Sequence, residues 1–225
     1  MVHCDPGAKP EWVEKILMDA VMSAKGVLPR PAPLVQFEGV KEWSAEYAVR
    51  FFCPTYLDSI PLEAAVWRDI IRNLRYAGFE SVIHEEFTLF HLGETARKSG
   101  DMAPMLINDV EVFEPFGAQE KAHLCQTMAR HRLEPDRTVI EQGDDGDSLF
   151  IVAEGALKVE IWVDDETEIE VGRLGPGDFF GEMALLTGEV RGATVTTLTP
   201  TQVNEIAKKD IEPIIHAYPG IAEDL

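Results

Sequence analysis

The sequence predicts a mixed α+β chain: a βαββαβ block, then a β-roll or jelly roll with flanking helices. Two observations predict this. From Val2 to Leu92, apolar stripes at helical spacing alternate with strand-like segments. In the second half, short strand-like runs are each cut by a Gly- or Asp-containing turn, which suits a roll. A polar stretch with glycines at both ends, Gly93 to Asp101, separates the two patterns and reads as a linker. The expected boundaries are 1–93, a linker over 94–106, and 107–225.

In the first block Val2 to Cys4 is a strand. Pro10 can open a helix, because a proline at the first helical position loses no hydrogen bond there. Trp12, Val13, Ile16, Leu17, Ala20 and Val21 then form one apolar stripe, and Gly26 can end it. A Pro29-to-Pro33 turn leads to a strand at Leu34 to Phe37. Trp43, Ala45, Tyr47, Val49 and Phe51 alternate with Ser44, Glu46, Ala48, Arg50 and Phe52, a second strand. Pro61 opens a second helix carrying Val66, Trp67, Ile70, Ile71 and Leu74, closed by Gly78. Ser81 to Phe90 is the last strand. This is the split-βαβ, or ferredoxin-like, order.

The second block begins near Ile107. Val110, Val112, Phe113 and Phe116 lead into a helix from Ala118 to His131. Strands follow at Arg137 to Gln142, Ser148 to Ala153, Ala156 to Val163, Glu168 to Leu174 and Gln202 to Ile206. The turns between the first four are Gly143-Asp144-Asp145-Gly146-Asp147, Glu154-Gly155 and Asp164-Asp165, with Gly175-Pro176-Gly177-Asp178 after the fourth. Lys208 to Tyr218 is a helix, and Pro219 to Leu225 begins another.

Composition narrows the function. The chain has 225 residues and a net charge of −20. Residues 1–100 carry 11 Lys or Arg and 14 Asp or Glu, whereas the remaining 125 carry 9 and 26. An acidic second half opposes DNA and anionic lipid, both of which need clustered basic residues. No apolar run is long enough to cross a bilayer. Cys4, Cys53 and Cys125 lack metal-site or disulfide spacing. His123, His131 and His216 show no HxH spacing, and Asp144, Asp145 and Asp147 continue into no calcium loop. No nucleophile–base pattern or phosphate-binding Walker loop is present.

The run from Phe179 to Val195 carries the candidate chemistry. Gly181 allows close backbone approach. Glu182 can accept from a sugar hydroxyl. Arg191 can fork onto two phosphate oxygens. A bare Glu182–Arg191 salt bridge, with no ligand, is the competing explanation of the pair.

This run resembles the phosphate-binding cassette of cyclic-nucleotide-binding domains, in its protein-kinase-A regulatory-subunit form and without a gap. The resemblance covers Ile107 to Pro219, including the turns at Gln142-Gly143-Asp144, Glu154-Gly155 and Gly177-Asp178. It implies a ligand site of Gly181, Glu182, Met183, Ala184, Arg191, Gly192 and Ala193. Val159 and Val171 would wall the base, although ordinary roll core explains them equally well. Backbone N–H groups of Ala184 and Ala193 would complete the phosphate cradle. Gly192 stands where many cGMP-preferring members carry Thr, so the resemblance leans to cAMP, with cGMP as the other candidate. In the family, a helix after the roll forms a lid; here Pro219 to Leu225 would only begin it.

Val2 to Leu92 is similar to the C-terminal α/β domain of small-conductance mechanosensitive (MscS-like) channels. The similarity rests on the entry from Asp5-Pro6 to Pro10, the Pro29-to-Pro33 turn, the aromatic strand to Phe52 and the Ala77-Gly78-Phe79 helix exit. Together the two resemblances imply the cytoplasmic portion of a bacterial inner-membrane channel subunit gated by cyclic nucleotide, soluble as this piece. They imply a homo-oligomer, heptameric in the full channel, and membrane contact only through segments outside this chain. They imply no enzyme activity, cofactor, metal or nucleic-acid partner. Other readings are a native soluble protein starting at Met1, acting as a sensor or regulatory subunit, and a catabolite-activator-type transcription factor lacking its DNA-binding domain.

Overall fold

Pro10 occupies the first turn of helix α1 (Pro10–Ser23), where its fixed φ suits the helix and its missing N–H costs nothing. The computed structural model describes residues 1–41, 43–83, 88–93, 103–164, 167–183 and 188–217. The chain divides into two units, Met1–Met102 and Ala103–Leu225.

In the first unit the α1 stripe is buried as its spacing requires: Val13, Ile16, Leu17, Ala20 and Val21 enter the core, with Trp12 packed at its margin. Asp19 lies on the same face and is tolerated there because Lys15 Nζ donates to its carboxylate at 2.8 Å. The helix ends before Ala24, whose backbone is extended, and Gly26 follows with φ of +103°. Strands β1 (Val2–Cys4), β2 (Leu34–Lys41) and β3 (Ser44–Arg50) precede helix α2 (Ser59–Tyr76), which buries Val66, Ile70 and Leu74. Trp67 packs at the core margin, but Ile71 is 50% exposed. Trp43, expected within a strand, sits before β3 and is 67% exposed. Ser44 and Ala48, expected on the opposite face from the core residues Ala45 and Tyr47, are buried as well.

The expected single strand from Ser81 to Phe90 is instead two, β4 (Phe79–Ile83) and β5 (Thr88–Leu92), paired antiparallel. The sheet order is β2-β3-β1-β5-β4. β5 pairs parallel to β1 and stands between it and β4, so the split-βαβ plan gains one strand. Periodicity could not reveal this, because one apolar run can be a long strand or a hairpin with equal ease.

In the second unit, helices α3 (Ala103–Asp109) and α4 (Ala118–Thr127) precede the roll and α5 (Lys208–Ala217) follows it. Residues 103–106, expected as linker, are therefore helical; 94–102 lie outside the described residues. The α4 helix stops short of His131, because Met128 turns extended and Ala129–Leu133 forms β6. That strand is polar and gains its place by pairing with β13 (Thr201–Ala207), which local sequence does not disclose. β7 (Thr138–Ile140), β8 (Ser148–Glu154), β9 (Leu157–Trp162), β10 (Glu168–Leu174), β11 (Phe179–Phe180) and β12 (Thr194–Thr197) complete two four-stranded antiparallel sheets, β10-β9-β12-β7 and β11-β8-β13-β6. Their core holds Phe150, Val152, Leu157, Phe180, Val195 and Val203. Leu149 and Ile151 of β8 are buried too, and α3 packs against that strand, which explains its unbroken apolar run.

The first-unit core sets a pH limit. Burial pushes the Cys4 thiol up from its ordinary 9.0 to about 12. Burial, then the neighbouring Cys4, pushes the Tyr47 hydroxyl from 10.0 to about 12. Both groups stay protonated in the fold at a pH where the unfolded chain has released the proton. The unfolded chain then binds fewer protons, so stability falls as pH rises from about 9 to about 12. Denaturant titration across that range should show a falling midpoint; a flat midpoint would contradict the burial. The Tyr47 hydroxyl has no hydrogen-bond partner among the described residues. Tyr47→Phe should therefore be neutral or stabilising at pH 7.

Candidate functional site

The site is built where a strand breaks at a glycine. Phe180 of β11 pairs with Phe150 of β8, and their rings stack at 5.1 Å. At Gly181 the backbone takes φ of +87°, which favours glycine, and Glu182 and Met183 turn helical. Ala184, expected in the phosphate cradle, lies outside the described residues, as does 218–225 with the expected lid start. The chain returns through Gly188 and Arg191 into β12.

Arg191 is only 5% exposed, which is unusual for an arginine. Its Nη1 donates to the Gly181 carbonyl at 2.8 Å, and its Nη2 donates to Ser148 Oγ at 3.3 Å. Its Cζ stands 5.8 Å from the centre of the Phe150 ring, within cation–π range. A Cβ at Gly146 would overlap Nε and Cζ of Arg191, and one at Gly181 would overlap Nη1. Two glycines thus form the walls of a slot that the guanidinium fills. The backbone stitches the slot shut: Arg191 N donates to Asp144 O and Gly143 N donates to Arg191 O, each at 2.8 Å.

The electrostatics favour a charged, partly unsatisfied cation. Burial lowers the Arg191 pKa, while Asp147, Glu205 and Glu182 oppose that shift. A guanidinium has five N–H donors, and two protein oxygens accept from this one among the described residues. Capacity therefore remains for an anion. Segments 138–157 and 174–207 contain nine acidic residues and no basic residue except Arg191.

The Glu182–Arg191 salt bridge of the competing explanation does not form among the described residues; Glu182 is half-buried and acts on the guanidinium only as a nearby charge. Met183 and Gly192 are exposed, and Ala193 is half-buried beside them. Nothing lies within 4 Å of a Cβ built on Gly192. The two valines part company. Val159 packs against the roll core, whereas Val171 lies at a β-bulge between Glu170 and Gly172 and is 41% exposed. Sequence reasoning passed over Gly146, Ser148 and Phe150. The Gly143-to-Asp147 turn was legible, but that it closes on Arg191 depends on the pairing of distant strands.

Residues 130–218 match the family model of the cyclic nucleotide-binding domain, and residues 3–81 match that of the mechanosensitive ion channel MscS, C-terminal. The chain joins an MscS C-terminal domain to a cyclic nucleotide-binding domain. Among solved structures, the nucleotide-binding domain is similar to the regulatory domain of Toxoplasma gondii PKA crystallised with cAMP. That match has 22% identity, covers 59% of this chain and 50% of that one, and has a TM-score of 0.50, a likeness of fold. A cyclic nucleotide-binding-like protein from Brucella abortus matches at 24% identity over 52% of this chain and 99% of its own, TM-score 0.47. The Thermus thermophilus catabolite activator protein matches at 26% over 50% and 53%, TM-score 0.45. This chain thus spans half the length of the Toxoplasma structure. Both matched families are non-catalytic, and among the described residues no group of His, Cys, Asp and Glu could hold a metal ion. No helix among them is long and apolar enough to cross a membrane.

The slot makes its own prediction. Gly→Ala ordinarily gains a few tenths to about 1 kcal/mol from the unfolded state. At Gly146 the overlap with Arg191 should reverse that sign and cost about 1–3 kcal/mol. Denaturant unfolding of Gly146→Ala checks it, and a gain in stability would contradict the slot.

Proposed function

We propose that this chain is the cytoplasmic regulatory region of an MscS-like ion channel and that it binds cAMP to bias gating. The buried Arg191 slot, with donors to spare, is the observation that carries the reading. The companion MscS C-terminal domain gives the signal a destination. Arg191 receives the cyclic phosphate, Glu182 accepts from the ribose 2′-hydroxyl, and the N–H groups of Ala184 and Ala193 complete the cradle. Gly181, Met183 and Gly192 line the approach, and Val171, exposed at its bulge, flanks the base; Val159 serves the core beneath.

The division of labour follows from charge. A carboxylate suits a hydroxyl and repels phosphate, whereas a guanidinium does the reverse. The acidic surroundings oppose an anion at long range, but salt screens that field beyond about 8 Å. A charge-assisted hydrogen bond in a sheltered site contributes about 1.5–3 kcal/mol. Gating needs a further condition: the nucleotide must bind one arrangement of the subunit more tightly than another, since equal binding shifts nothing. In the full channel the subunits form a homo-oligomer, a heptamer on this reading, anchored by segments outside this chain.

Calorimetry with cAMP and cGMP tests the binding. Wild type should bind cAMP, and Arg191→Ala should bind at least tenfold more weakly, since about 1.4 kcal/mol is one decade. Equal affinities would remove Arg191 from its role. Gly192→Thr has the space to add a hydroxyl and should shift preference toward cGMP in the same titration. An unchanged preference would exclude position 192 as the discriminator.

A further inference from the structure

We infer that Ser148 is a positioning residue for Arg191, holding the guanidinium in the orientation that receives the ligand's phosphate. The inference rests on the reading of Arg191 as the anion-binding group. Two anchors meet the two terminal nitrogens: the Gly181 carbonyl on Nη1 and the Ser148 hydroxyl on Nη2. One anchor alone lets the plane pivot about that bond. Two anchors, with Phe150 against the cation, fix it.

Ser148 is well placed for the task. It is 5% exposed and opens β8, where its backbone pairs with Ala207 of β13. The residue before it, Asp147, accepts from Lys208 N at 2.7 Å through its carbonyl, so the support is tied on both sides.

The chemistry of the side chain matters as much as its place. A carboxylate at 148 would neutralise the guanidinium and compete with an incoming phosphate. An alanine would leave Nη2 unanchored. A hydroxyl accepts the N–H bond without adding charge. The neighbouring carboxylates Asp147, Glu205 and Glu182 act on Arg191 as charges rather than as hydrogen-bond partners among the described residues. Orientation is thus assigned to a neutral group and charge to more distant ones. Ser148 therefore acts through Arg191.

The test uses the whole chain with Ser148→Ala and Ser148→Thr, read in two ways. Titration with cAMP should show a loss of about three- to tenfold for the alanine variant, the worth of one neutral hydrogen bond, with the threonine variant recovering most of it. Without ligand, the guanidinium NMR signals of Arg191 should be separate in wild type and averaged by rotation in Ser148→Ala. Unchanged Arg191 signals in Ser148→Ala, or unchanged cAMP affinity, would overturn the inference. If wild type binds no cyclic nucleotide, the proposed function falls, while the guanidinium signals still decide whether Ser148 holds Arg191.

Discussion

Burying one guanidinium organises the second unit's site. An arginine removed from water must be given acceptors, is well served by an aromatic surface, and here leaves no room for a Cβ at Gly146 or Gly181. Gly181 supplies the first acceptor by breaking β11 with a positive φ. Ser148 supplies the second at the start of β8. Phe150 supplies the surface, and Gly146 clears the space. These residues come from three parts of the chain, and the two antiparallel sheets bring them together. The roll therefore does more than present a loop; it closes a turn, residues 143–148, against Arg191.

On the proposed function, the same arrangement reconciles an acidic domain with an anionic ligand. Nine carboxylates in the neighbouring segments set an unfavourable field for any phosphate. Three of them, Asp147, Glu205 and Glu182, also favour the charged form of Arg191 against burial. In the proposed function affinity arises at short range, where a desolvated cation with free donors outweighs a screened field. In the proposed function the phosphate meets Arg191 directly, so the orientation that Ser148 is inferred to hold would matter to affinity.

Much of this was legible in the sequence. The type and spacing of Gly181 and Arg191 single out two residues that do meet in the structure, and the stripes from Val13 to Val21 and from Val66 to Leu74 located both helices of the first unit. What was missed has a common cause. β6, with the sequence Ala-Arg-His-Arg-Leu, is a strand only because β13 lies beside it. The β4–β5 hairpin was hidden inside one apolar run, and β5 reaches β1 across more than 80 positions of chain. Gly146 and Ser148 sit next to a turn that was read correctly, yet their partner lies more than 40 positions away. Local periodicity reports which face is buried; it does not report what covers it.

The central claim is that Arg191, held in its glycine slot, receives the phosphate of a cyclic nucleotide. A crystal structure of the chain grown with saturating cAMP tests it most directly. The account predicts density for the nucleotide with phosphate oxygens hydrogen-bonded to the Arg191 guanidinium and a ribose hydroxyl on Glu182. A cleft that stays vacant, or a nucleotide bound with its phosphate away from Arg191, would contradict it.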